Sequence, residues 1–169
     1  MQQLLIPKER TKLLLKDPKA LARLEEKLRC KVAINGENEV TIDGEAYDEY
    51  NARNVMTAFG RGFDTGIALK LLQDDMFFTS INLKDEFKNP KSIHRIKARL
   101  IGLDGKTKTY VEEVSGVSIS IYGNTISFIG NVEDIKIANA AVDVLLEGGT
   151  HKKAYTIMEK MRRKSRILI

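Results

Sequence analysis

The chain has 169 residues, of which 43% are hydrophobic and 30% charged, with a net charge of +5. That length and balance suit one or two small domains with real cores and exclude a disordered chain. One cysteine, Cys30, excludes an internal disulfide framework or a cysteine-rich zinc site, and it reads as a small buried hydrophobe. No apolar signal core and no membrane-length apolar stretch is visible, so the expected compartment is the cytoplasm.

In chain order, Gln2 to Ile6 reads as a strand, and Pro7 opens a first helix that reaches Leu14 or Leu15. Lys16-Asp17-Pro18 breaks it. Asp17 before Pro18 is a cap-and-start signal for a second helix to about Arg29, with Leu21, Leu24 and Leu28 as its apolar stripe. Lys31 to Asn35 alternates as a half-buried strand, Asn35-Gly36 turns the chain, and Val40 and Ile42 mark the return. A helix follows from Tyr47 to Phe59. Gly60-Arg61-Gly62-Phe63 reads first as its glycine cap, with Arg61 a secondary candidate for RNA backbone contact. Asp64 caps a connecting helix that presents Ile67, Ala68, Leu71 and Leu72.

Met76 to Leu83 reads as the next strand. A basic helix from Lys91 to Ile101, a glycine loop, a helix from Lys106 to Ser115 and strands Val117–Tyr122 and Thr125–Ile129 follow. A helix from Val132 to Glu147 and a basic one from His151 to Lys164 complete the chain, which ends on the apolar run Ile167-Leu168-Ile169. That run is expected to pack back or meet a partner.

The two halves repeat. With Leu15 set under Gly102, an offset of 87 brings Glu25-Glu26 onto Glu112-Glu113, Val32 onto Ile119 and Gly36 onto Gly123. One residue dropped at the turn brings Val40 onto Ile126, Ala52 onto Ala138 and Gly62 onto Gly148. The expected domains are residues 1–75 and 76–169. The whole excess charge lies in the second half, because residues 1–84 hold 13 basic and 13 acidic side chains.

The loop between the units' first two helices is where they part. Gly102-Leu103-Asp104-Gly105 in the second unit faces Leu15-Lys16-Asp17-Pro18 in the first. Helix, G-x-x-G, helix, strand, strand, helix is the order of a KH module. There, two glycines let backbone approach a ligand and a helix N-terminus meets a phosphate. The pattern alone is weak, since a plain helix junction can carry it. Its surroundings strengthen it: Lys88, Lys91, Arg95, Lys97, Arg99, Lys106 and Lys108 are accompanied by one acid, Asp104. Lys88, Lys91, Arg95 and Arg99 are spaced to share one helix face, opposite Ile93, Ile96 and Leu100. Gly105-Lys106-Thr107 is not a P-loop, for Leu100 stands where that motif needs glycine.

Arg99-Leu100-Ile101-Gly102-Leu103-Asp104-Gly105-Lys106-Thr107, Glu112-Glu113-Val114-Ser115-Gly116 and Ile119-Ser120-Ile121-Tyr122-Gly123 resemble the tandem-KH ribosome-assembly factors of archaea and eukaryotes, the Dim-two-like or Partner-of-NOB proteins. Ala58 to Phe63 and Gly148 to His151 carry further resemblance. Without the long N-terminal extension of eukaryotic members, the chain looks like an archaeal one. The resemblance implies an α+β fold of two tandem type I KH domains, each β-α-α-β-β-α, plus a C-terminal helix. It implies binding to small-subunit rRNA near its 3′ end during rRNA processing and ribosome biogenesis, and partnership with the PIN-domain endonuclease that trims that end. Translation-initiation components are further candidates. Asp104 departs from many KH loops, which place Lys or Arg there.

The expected RNA site is therefore Arg95, Lys97, Arg99, Ile101, Gly102, Leu103, Asp104, Gly105, Lys106, Ile119 and Ile121, with secondary contacts from Arg61, His94, Lys108, Lys152 and Lys153. Ile101, Ile119 and Ile121 are candidates for an apolar floor under bases, some of them plain core. No catalytic pair, metal cluster or cofactor loop is visible. The rival reading is a protein-interaction adaptor in which both units are scaffolds and the basic surface has only generic RNA affinity.

Overall fold

Periodicity and caps set the elements in both halves, and the third strand of each half becomes the centre of a sheet. The computed structural model describes residues 1–167, so Leu168 and Ile169 of the apolar C-terminal run lie outside the described residues. Contacts divide the chain into Met1–Asp74 and the residues from Asp75 on.

The first unit contains β1 (Gln2–Leu5), α1 (Lys8–Lys16), α2 (Pro18–Leu28), β2 (Lys31–Asn35), β3 (Glu39–Asp43), α3 (Ala46–Gly60) and α4 (Thr65–Ala68). A 3-10 turn, Leu69–Leu72, follows α4, so the connecting segment is shorter in α-helix than expected. The sheet is antiparallel in the order β1-β3-β2, with Leu4 opposite Val40 and Val32 opposite Ile42. Val40 and Ile42 on the central strand are fully buried, and Leu24 and Leu28 of α2 are buried as well.

The second unit contains β4 (Phe77–Asn82), α5 (Leu83–Glu86), α6 (Pro90–Ile101), α7 (Lys106–Ser115), β5 (Ser118–Tyr122), β6 (Thr125–Gly130), α8 (Val132–Leu146) and α9 (His151–Ile167). Its sheet order is β4-β6-β5. The short α5 was not expected. Asn82 ends the strand because its side chain accepts from Lys84 N at 3.1 Å and caps a helical turn. Asn89 does the same for Lys91 N at 2.9 Å, with Pro90 at the first helical position. Lys88 therefore precedes α6 and does not belong to its basic face. Ile93, Ile96 and Leu100 of α6 join Ile126, Phe128, Ala138 and Leu145 in one core. Ala154 and Met158 of α9 are fully buried in that core, so α9 is part of the domain's packing. Ile167, its last described residue, is exposed.

One bond recurs in both units and gives the repeat a physical meaning. Glu25 Oε1 accepts from Val32 N at 2.8 Å, and Glu112 Oε1 accepts from Ile119 N at 2.7 Å. In each case a carboxylate near the end of the second helix takes the N–H of the following edge strand, which fixes how the chain re-enters the sheet. Such a charge-assisted bond leaves a costly orphan if the acceptor is removed. Glu112→Ala is therefore expected to lower stability by about 1–3 kcal/mol in urea denaturation, and Glu112→Gln, which keeps an acceptor, by less.

Candidate nucleic-acid interface

The glycine loop is built on three positive-φ residues, Gly102, Asp104 and Gly105, with Leu103 between the first two. Gly102 ends α6 at φ 76° and donates to Ala98 O at 2.9 Å. Asp104 has φ 52° and ψ 30°, and Gly105 has φ 75°. Glycine meets that geometry freely, and Asp is among the side-chain-bearing residues that tolerate it best. The identity of Asp104 thus has a local cause, separate from any effect on phosphate.

The two glycines differ in their surroundings. A Cβ on Gly102 would come within 2.7 Å of both Thr107 N and Thr107 Cβ. A Cβ on Gly105 would meet nothing within 4 Å. Gly102 is thus a packing residue that lets α6 and α7 touch, and Gly105 leaves the backbone open to approach. Leu103, between them, is 76% exposed, and Ile101 is 37% exposed.

The start of α7 has no side-chain cap among the described residues. Its first N–H, on Lys106, turns back to Leu103 O. The corresponding junction of the first unit is closed differently. Asp17 Oδ1 accepts from Lys19 N at 3.1 Å and Ala20 N at 3.0 Å, with Pro18 at the first position of α2. A carboxylate of the chain itself sits there on donors that an incoming anion would use.

Around the loop, His94, Arg95, Lys106, Lys152 and Lys153 are exposed. Lys97 is half-buried and donates from Nζ to Gly123 O at 2.6 Å, in the β5–β6 turn. Lys108 is half-buried and pairs with Glu112 at 3.2 Å. Arg61 lies in the first unit, exposed, beside a cavity of about 320 Å³ that it lines with Arg53, Thr57 and Gly60.

Two expectations need correction. Ile119 is 6% exposed and belongs to the core, so it offers no surface to a base. Ile121, two residues on along the same face of β5, is also packed against that core, though only partly buried. Arg99 is a tie inside the fold. Its guanidinium donates to Leu145 O at 3.0 Å and to Gly149 O, fastening the end of α8 and the turn into α9. Arg10 in the first unit does the same at the matching carbonyls, Phe59 O and Phe63 O, and lies 4.2 Å from the Phe59 ring centroid.

Several residues of this region carried no signal in the sequence. Thr107 is only 5% exposed, and its Oγ1 accepts from Tyr155 OH at 3.2 Å. Tyr155 meets Tyr110 edge-on with centroids 4.6 Å apart. Tyr110 in turn donates to Glu159, and that hydrogen bond, more than burial, holds the phenol above its usual range. Arg162 donates to Val114 O at 2.9 Å, to Ser115 O and to Asp134 at 2.7 Å. It thereby places a cation at the negative end of α7. Their partners lie dozens of residues away, where local spacing says nothing. The described residues bring no three metal-ligating side chains together. No helix among them is long and apolar enough to cross a membrane.

The family model described as a eukaryotic type KH-domain (KH-domain type I), the second such domain of PNO1, matches residues 77–163. A KH domain-containing protein of Methanocaldococcus jannaschii is 37% identical over 165 residues, spanning 94% of this chain and 73% of its own length. The pre-rRNA-processing protein pno1 of Aspergillus fumigatus is 29% identical, and the match covers 85% of this chain and 61% of that protein. Among solved structures, a chain in the a/eIF2alpha–aDim2p–rRNA complex of Pyrococcus horikoshii OT3 aligns with a TM-score of 0.87 and 31% identity, over 96% of this chain and 94% of that one.

Because Arg99 serves the fold through a two-pronged fork, lysine cannot replace it. Arg99→Ala and Arg99→Lys are both expected to lower stability, the former by about 2–3 kcal/mol. Thermal and urea unfolding check this, against an Arg95→Ala control that should leave stability unchanged.

Proposed function

The chain belongs to the PNO1 family of KH-domain proteins, and on that premise we propose that it is a non-catalytic RNA-binding factor of ribosome assembly. The second unit holds single-stranded small-subunit rRNA near its 3′ end. In this reading both units are type I KH domains, with α9 as a C-terminal addition, and the first has given up its clamp. The repeated β-α-α-β-β-α order and the identical sheet topology support the tandem assignment.

The observation that carries the reading is the open α7 start. Gly105 has free space above its backbone, no side chain caps the helix among the described residues, and Lys106 and Arg95 are exposed nearby. A KH loop uses these features to clamp about four backbone nucleotides of a single strand. A phosphate sits against the loop backbone at the positive end of α7. Leu103 and Ile101 supply exposed apolar surface for bases, in place of the buried Ile119. Lys97 and Lys108 add charge from positions where each already has one partner. His94, Lys152 and Lys153 are outer contacts. Asp104 weakens attraction at the loop tip, so the surrounding cations set the affinity.

The rRNA complex of the Pyrococcus relative supports an RNA partner and an initiation-factor contact. The PIN-domain endonuclease as a partner rests on the family resemblance. The first unit, with Asp17 closing its junction and Leu13 and Leu15 exposed on α1, suits protein docking more than RNA. Cytoplasmic work on rRNA follows from the same reading.

The test is a titration with labelled single-stranded RNA copying the small-subunit rRNA 3′ end, beside a shuffled RNA and the equivalent DNA, at two salt concentrations. Sequence-dependent binding is expected. Gly105→Asp should weaken it at least about tenfold, or 1.4 kcal/mol, without unfolding the protein, because the site has room and Asp tolerates its backbone angles. Gly102→Ala should instead lower stability through its clash with Thr107. Unchanged affinity in a folded Gly105→Asp protein would sink the reading.

A further inference from the structure

Helix α9 has one charged stripe that the core does not use and that the loop site reaches only at its first residue, Lys153. Lys153, Thr156, Lys160 and Lys164 succeed each other three or four positions apart and are all exposed, so they share a face. None of the three lysines forms an ion pair among the described residues. The neighbouring acids are grouped with the arginines instead. Glu113 and Glu159 line a shallow groove with Arg162, Arg163 and Arg166, and Asp134 is held by Arg162.

The stripe runs about 16 Å along a rigid helix. Its chemistry is narrow: three ammonium groups and one hydroxyl. The rings on α9, His151 and Tyr155, are half-buried, with His151 Nε2 at 2.9 Å from Arg99 O and the Tyr155 hydroxyl on Thr107. A face that holds single strands stacks bases on exposed rings. A duplex hides its base faces and presents phosphates at regular intervals, with about one charge per 1.7 Å of axis in DNA. A ring-free row of unpaired cations suits the second kind of ligand.

We infer that this stripe binds the phosphate backbone of double-stranded RNA, next to the single-strand site. The first turns of α9 approach the glycine loop through Tyr155, whose hydroxyl lies 3.2 Å from Thr107 Oγ1, while the stripe occupies the outer face of the same helix. An RNA whose single strand enters the loop meets α9 with its adjoining stem. This joint arrangement rests on the single-strand reading of the loop, whereas the stripe's own affinity for duplex does not.

The test uses the full chain, two RNAs, a blunt duplex of about 16 base pairs and the single strand, and a poly-glutamate peptide. The variants are Lys153→Gln with Lys160→Gln and Lys164→Gln, a charge-matched control with Lys12→Gln, Lys19→Gln and Lys27→Gln in the first unit, and Gly105→Asp. The α9 variant is expected to bind duplex at least about tenfold more weakly, with a log–log salt slope shallower by roughly 2 to 3. The control variant keeps the wild-type duplex affinity. Gly105→Asp loses the single strand and keeps the duplex, which separates the two readings. Equal duplex binding by wild type and the α9 variant overturns the inference. So does an equal loss in the control, which would mean generic electrostatics, or a wild type that ignores duplex and binds an acidic peptide through the stripe. Circular dichroism verifies that each variant is folded.

Discussion

The contact between Gly102 and Thr107 organises the second unit. With no side chain on Gly102, the end of α6 rests directly on the first turn of α7. Thr107, buried by that contact, accepts the hydroxyl of Tyr155 and so draws α9 to the same place. At the far end of α7, Arg162 fastens α9 again to the carbonyls of Val114 and Ser115. Two helices are thus pinned at both ends, side by side, with their N-termini together near the loop. A loop that must receive a ligand on its backbone needs such a base, because mobile backbone would lose on ordering what it gains on binding.

The duplication is kept where it serves the fold and lost where it serves the surface. Glu25 and Glu112 hold equivalent strand N–H groups. Arg10 and Arg99 hold equivalent carbonyls at the ends of α3 and α8 and in the turns that follow. The two arginines come from helices whose ends do not match, since α1 continues to Lys16 and α6 stops at Ile101. The carbonyls are the fixed points, and the arginine finds them in each unit. Residues that look like a basic surface in the sequence can therefore be ties of the core, as Arg99 is.

What was legible in the sequence was whatever depends on near neighbours. Alternation in Val40 and Ile42, the Asp17–Pro18 start of α2 and the glycine loop itself all have local causes. Asn82 and Asn89 were also local, but each lies beside stronger signals, and their caps moved the ends of β4 and α6. Ile119 and Ile121 share one face of β5, and period alone cannot say which of two same-face residues is covered. The Thr107–Tyr155–Tyr110–Glu159 chain was not legible at all. It joins α7 to α9 across about 50 positions, and nothing in the spacing of a threonine and a tyrosine announces that they will meet.

The contrast between the two helix junctions explains why one fold can carry two different surfaces. A helix N-terminus exposes unpaired N–H groups and a partial positive charge, and something must satisfy them. In the first unit Asp17 does so from within the chain, so the end of α2 is electrically closed and stable on its own. In the second unit glycine takes the capping position and supplies no acceptor. That choice forgoes only about a few tenths of a kcal/mol of capping, because glycine is a tolerated cap, and leaves donors available to an anion from outside. An acceptor two residues into the loop would have closed it, and Asp104 is such a residue by type. Its left-handed backbone at φ 52° nevertheless forms the turn, while the helix cap remains uncapped by any side chain among the described residues. The second junction is therefore held open by backbone geometry, at a small cost in stability, and the first is closed by one carboxylate.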